Sequence, residues 1–167
     1  MAIAHRLDEQ IFIDAVREVR PPFSPAGVID DFSVLLHSYH ITRVRGGRYA
    51  GEFPFRQHGI SYELAKQVKS DLYRDLLPLL NSGRITLPKH QRLLGHLAAL
   101  ERQVSRAGKD SIIVGARDDV ANACAGAAAL AKKPVYDSTY AGWSDSPEPE
   151  PLVTGRRNFY GMRFISR

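Results

Sequence analysis

A mixed α/β fold, one sheet with helices on its faces, follows from three features of the sequence. Residues 2–19 alternate apolar and polar side chains in two short runs, the pattern of a strand pair. Later segments place apolar residues at helical spacing and alternate with short strand-like runs. The chain of 167 residues, 44% hydrophobic and 25% charged, has room for one sizeable core and is too apolar for disorder throughout.

The elements follow in order. Ala2-Ile-Ala-His-Arg and Ile11-Phe-Ile-Asp-Ala-Val, joined across Leu7–Gln10, form a hairpin that runs to about Val19, where Pro21-Pro22 ends the pairing. Ser24-Pro25 then supplies an N-cap and a proline at the first helical position. Val28, Ile29, Phe32, Leu35, Leu36 and Tyr39 mark one apolar stripe, so this helix runs to about Tyr39. Ile41–Val44 is a short strand closed by Gly46-Gly47, residues 48–58 an irregular crossover, and Gly59–Tyr62 another strand. Lys69-Ser70 opens a helix that turns Leu72, Leu76, Leu79 and Leu80 inward and stops at Asn81-Ser-Gly83. Arg84–Leu87 is strand-like, and Leu93, Leu94, Leu97, Leu100 and Val104 mark a further helix. The final helix starts at Asp118-Asp119, whose carboxylates suit the positive end of a helix dipole, and continues through a run of small residues to about Lys132.

From Pro134 the character changes. Residues 134–167 carry Ser-Asp-Ser-Pro-Glu-Pro-Glu-Pro and no helical periodicity, which predicts an extended or disordered tail behind a domain of residues 1–133. The tail's four acidic residues balance its four arginines, so the net charge of +5 belongs to the body. A basic body favours polyanions at low salt, although charge alone names no partner.

Several classes fall away. The most apolar run, around Cys124–Leu130, is mostly alanine and glycine and falls short of the roughly 20 residues of a membrane span, so the expectation is a protein with no membrane partner. A lone cysteine rules out an internal disulfide or a thiolate metal cluster and suits a reducing cytoplasm. Met1-Ala-Ile-Ala-His-Arg has none of the features of a secretory signal, so a cytoplasmic location is expected.

Asp118-Asp119 is the sharpest chemical feature. Two adjacent carboxylates at the start of a small-residue helix suit a divalent metal held near a sheet edge, or simply an N-cap with an acidic first turn. His37 and His40 lack a third ligand, and Cys124 reads as a small buried hydrophobe. Lys66, Lys69 and Arg92, with Arg74, Lys89, Arg102, Arg106 and Lys109, line a path for double-stranded DNA or serve as solvated helix faces. Tyr140, Trp143, Phe159 and Tyr160 in the tail pack back on the domain or meet a partner.

The segments Lys69–Arg84, Leu93–Arg102, Gly108–Ile112 and Asp118–Ala123, with Ala2–His5 and Val44–Glu52 ahead of them in the same order, resemble the C-terminal nuclease domain of the large terminase subunit of tailed phages. The resemblance covers about residues 1 to 131 and leaves the tail outside. It implies a ribonuclease H-like fold and, in the family, metal-dependent cleavage of concatemeric viral DNA by a domain attached to a packaging ATPase.

It also implies three acidic positions that hold two divalent ions, Mg2+ or Mn2+, for phosphodiester hydrolysis. The third falls on Asp118-Asp119, which are thereby the expected catalytic and metal-binding residues. The first lies just ahead of Ala2–His5, so the domain looks N-terminally truncated, and the second aligns with Gly47. Glu52 and Glu63 are the nearby substitutes. The crossover between Gly51 and His58 is a few residues shorter than the family's, and no G-x-x-x-x-G-K-[ST] phosphate loop occurs in the sequence. The expectation is a nuclease domain of a phage or prophage packaging terminase, impaired in cleavage. Two alternatives stand beside it: a non-catalytic module that binds DNA or other packaging proteins, and a prophage remnant.

Overall fold

The computed structural model describes residues 1–47, 52–104, 110–113, 118–132 and 159–163. Its main sheet has six strands in the order β4 (Ser61–Leu64), β3 (Arg43–Gly46), β8 (Phe159–Arg163), β1 (Ala2–Leu7), β2 (Gln10–Val16) and β5 (Ile85–Thr86), with a separate two-stranded sheet of β6 (Glu101–Val104) and β7 (Asp110–Ile113). The expected hairpin is present as β1 (Ala2–Leu7) and β2 (Gln10–Val16), antiparallel with an irregularity between Ile3 and Ala4. Asp8 turns the chain with a φ of +52°, a left-handed conformation that aspartate tolerates better than most residues.

Alternation along β1 divides the core between the two faces of the sheet. Ala2 and Ala4, with Ile11 and Ile13 of β2, face Leu72, Tyr73, Leu76, Leu93 and the small residues of the last helix. Met1 and Ile3 face the other way, toward Val28, Ile29, Phe32 and Leu36, with Val44, Phe55 and Ile60. The second layer comes from α1 (Pro25–Ser38), where Pro25 takes the first helical turn and the Ser24 hydroxyl accepts from the Gly27 N–H at 3.5 Å.

β3 (Arg43–Gly46) and β4 (Ser61–Leu64) are parallel neighbours, each displaced about two residues toward the C-terminus of its expected position. Between them the crossover is not wholly irregular, because Glu52–Gln57 form a short helix, α2. Pro54 stands in its first turn, where no backbone N–H is needed. Phe55, fully buried and stacked on Tyr62 at 5.8 Å between ring centroids, anchors it.

α3 (Lys69–Asn81) has the expected bounds and buries Leu72, Tyr73, Leu76 and Leu79. β5 (Ile85–Thr86) then joins the sheet edge parallel to β2. The helix expected to reach Val104 stops earlier: α4 covers Gln91–Ala98, and Glu101–Val104 form β6, antiparallel to β7 (Asp110–Ile113). Apolar spacing had carried the helix through Leu100, but pairing with β7 satisfies this backbone in a hairpin instead.

α5 (Asp119–Ala131) lies on β1, β2 and β8, flanked by α3 and α4. Ala121, Cys124, Ala125 and Ala128 are each at most 1% exposed, as expected for a small-residue helix seated directly on the sheet. The expected tail beyond residue 133 lies mostly outside the described residues. Within it, Phe159–Arg163 form β8, which enters the main sheet between β1, to which it is antiparallel, and β3, to which it is parallel. Among the described residues no helix is long and apolar enough to cross a membrane.

Candidate functional site

The last helix is almost entirely alanine and other small residues, so it can lie deep between the sheet and two helices, and its first turn is buried with it. Asp118 stands at the N-cap position with φ −114° and ψ 22°, yet its side chain caps no N–H of α5. The carboxylate reaches α3 instead. Lys69 and Tyr73 are four residues apart, hence on one face of α3. The Lys69 ammonium donates to Asp118 Oδ1, and the Tyr73 hydroxyl donates to Oδ2 at 2.7 Å.

Burial makes this junction tight. The Asp118 side chain is 3% exposed and Tyr73 is fully buried, whereas the Lys69 side chain is 49% exposed and arrives from the rim. Burial first, then the bond to Asp118, pushes the Tyr73 phenol pKa far above its ordinary value, so the hydroxyl remains a donor. Asp119, half-buried, opens the first turn of α5. One turn on, the amide oxygen of Asn122 is buried without a hydrogen-bond partner. His96 of α4 is held below the usual imidazole range by burial and by Arg92, with the Asp118 charge opposing the shift.

The other expected site positions do not join this junction. β3 ends at Gly46, and Gly47 contributes only its carbonyl, which accepts from the Tyr62 hydroxyl at 2.6 Å. Glu63 is held by Arg45 at 2.5 Å and Arg43 at 3.3 Å, and the Arg45 hydrogen bond lowers its pKa. The Glu52 side chain lies outside the described residues. Among the described residues no group of three or more His, Cys, Asp or Glu is placed to hold a metal ion. A two-metal centre needs carboxylates from separate elements around both ions, and the donors among the described residues do not fit one.

Of the eight cations expected on a DNA path, Lys69 is committed to Asp118, Arg92 to Glu18 and Arg74 to Asp71. Lys66 is exposed and makes no ion pair among the described residues, although its charge contributes to the lowered pKa of Glu63. The side chains of Arg102, Arg106 and Lys109, and residues Tyr140 and Trp143, lie outside the described residues. His37 bonds the His58 carbonyl at 3.0 Å, and Cys124 is a buried free thiol, both in packing roles. Tyr73 was not singled out from sequence. Its spacing from Lys69 is the one signal that both side chains reach the same point.

No protein-family model matches the sequence, and neither does any curated protein. Among solved structures, the large terminase nuclease from thermophilic phage G20c is similar at 20% identity and a TM-score of 0.51, with 62% of this chain aligned to 60% of that one. Crystal structures of that nuclease with bound cobalt and with bound magnesium match at 18% and 19% identity, each with a TM-score of 0.49. The chain thus spans about 60% of the length of these structures. The mixed sheet with helices on both faces, together with the structural match, gives the chain the ribonuclease H-like fold of a phage large terminase nuclease domain.

Proposed function

We propose that the chain is a terminase nuclease-like domain of a phage or prophage DNA-packaging system, working on double-stranded DNA in the bacterial host cytoplasm and impaired in cleavage. The observation that carries the reading is the placement of α5. The support comes from α5, a small-residue helix packed on β1, β2 and β8 that opens with Asp118 and Asp119, the residues on which the family resemblance puts its third acidic position. The net charge of +5 supports contact with phosphates through counterion release, and Lys66, exposed and in no ion pair among the described residues, is one cation available for it.

One observation favours the alternative of a non-catalytic DNA-binding or packaging-protein module. Both oxygens of Asp118, and the carboxylate of Glu63, are already occupied by donors of the protein itself. Mg2+ or Mn2+ chemistry would need carboxylates that these residues do not offer, so the impaired form of the nuclease reading is the one supported.

Two measurements on the full chain test this. A labelled duplex titrated at about 50 and 200 mM salt should bind weakly at the lower value and lose most of its affinity at the higher, as phosphate-neutralising contacts require. No binding at low salt, or binding indifferent to salt, removes the DNA reading. Plasmid incubated with the protein and Mg2+ or Mn2+ should stay supercoiled. Nicking that disappears in Asp118→Ala would restore an active nuclease.

A further inference from the structure

We propose that the Lys69 ammonium is the built-in cation of the acidic end of α5, neutralising Asp118 where an active nuclease would hold a divalent ion and, in doing so, tying α3 to α5. The proposal rests on the nuclease reading only for that comparison; the ion pair itself is geometric. An aspartate at an N-cap position ordinarily accepts from a first-turn N–H, and this one accepts none. Its side chain is 3% exposed, so an ionised carboxylate here requires a partner charge. Lys69 supplies it, Tyr73 fills the second oxygen at 2.7 Å, and the three groups sum to zero net charge. A further cation brought to Asp118 would face the ammonium at contact distance with little water between them.

Of the other acidic positions expected to hold such an ion, two are lost to it. Position 47 is glycine, and Glu63 is shared between Arg43 and Arg45. The Lys69 side chain is about half exposed, so removing it opens the carboxylate from the rim without leaving a hole in the core. Ammonium and divalent ion should therefore compete for one carboxylate, and deleting the first should admit the second.

The test uses the full-length chain, with melting temperature and the free-Mn2+ electron paramagnetic resonance signal as readouts. The wild type should melt independently of Mn2+ at matched ionic strength and leave the signal undiminished. Lys69→Ala should melt lower, regain part of the loss with Mn2+, and diminish the free-Mn2+ signal at a concentration about tenfold or more below any at which the wild type does, within the usual range for coupled sites. Adding Asp118→Asn should abolish the response, and Lys66→Ala, which removes an exposed neighbouring charge, should show none.

Should Lys69→Ala fail to fold, Lys69→Gln removes the charge while keeping a hydrogen-bond donor, and the same comparison applies. Equal Mn2+ binding by wild type and Lys69 variant would overturn the proposal, as would Lys69 variants that melt like Lys66→Ala with no Mn2+ response. Neither readout involves DNA, so a failure in duplex binding or nicking leaves this result standing, and the reverse holds too.

Discussion

Tyr73→Phe removes one oxygen from a fully buried ring and leaves the packing of the ring intact. The lost hydroxyl donates to Asp118 Oδ2 at 2.7 Å, and that carboxylate side chain is only 3% exposed, so water cannot readily replace the donor. Hydrogen bonds to charged groups contribute about 1.5–3 kcal/mol, which for a chain of this size lowers the melting temperature by about 3–12 °C. The alkaline limb adds a second signature. Burial first, then the Asp118 bond, raises the folded-state pKa of the phenol well above its unfolded value of about 10. A raised pKa contributes stability that is fully present below the unfolded value and is lost as pH climbs toward the folded one, because only the unfolded chain releases the proton. Through Tyr73, each pH unit above about 10 therefore removes about 1.4 kcal/mol from the wild type, a loss the Phe variant does not share. Urea unfolding of both proteins at neutral pH and near pH 11 measures this as a difference, in which the remaining tyrosines and lysines cancel. Equal stability at neutral pH, or a difference that stays constant into alkali, would refute the reasoning.

Leu76, 1% exposed beneath α5, should cost about 2–5 kcal/mol when cut to alanine, whereas Val34→Ala on the exposed side of α1 should stay within about 0.5 kcal/mol; urea midpoints separate the two. Burial pushes the Cys124 thiol pKa up to about 12, so a thiol reagent at pH 8 should label the folded protein only as fast as it unfolds, and rapid labelling without denaturant would contradict the placement of α5. Glu63, whose pKa is lowered chiefly by its hydrogen bond to Arg45, should contribute stability above the ordinary glutamate range and lose it as pH falls through the lowered folded value. The stability difference between wild type and Glu63→Gln should therefore be present at pH 6 and vanish at strongly acidic pH.

The elements legible in the sequence are those whose signals are local. Alternation over Ala2–Val16 gave the hairpin, Ser24-Pro25 gave the start of α1, and the leucine spacing from Leu72 to Leu80 gave α3. The alanine run at residues 121–131 foretold close packing because small side chains bury well only against a nearby surface. What stayed hidden depends on distant partners. Helix α2 is short and holds a proline, and its hold on the fold is the contact of Phe55 with Tyr62. The periodicity of α4 runs on past Ala98, but the chain there pairs with Asp110–Ile113. At the site, Asp118 was visible as a feature and ambiguous between cap and ligand. Its engagement with Lys69 and Tyr73 spans more than forty residues, which no spacing rule reaches.

β8 gives the sheet an unusual order of assembly. Strands β1, β2 and β5 form one hydrogen-bonded block and β3 with β4 another, and among the described residues the two blocks meet through Phe159–Arg163. Ala2 pairs with Met162, so the seam joins segments near opposite ends of the given sequence and closes a long loop. Hairpin and helices can form early from neighbouring residues, but the sheet becomes continuous only when this late segment arrives, which raises contact order and slows the final step of folding. The same edge of β1 is thereby spoken for: a strand offered to it from any other source, whether ahead of Ala2 or from another molecule, must displace β8 from the same row of backbone N–H and C=O groups.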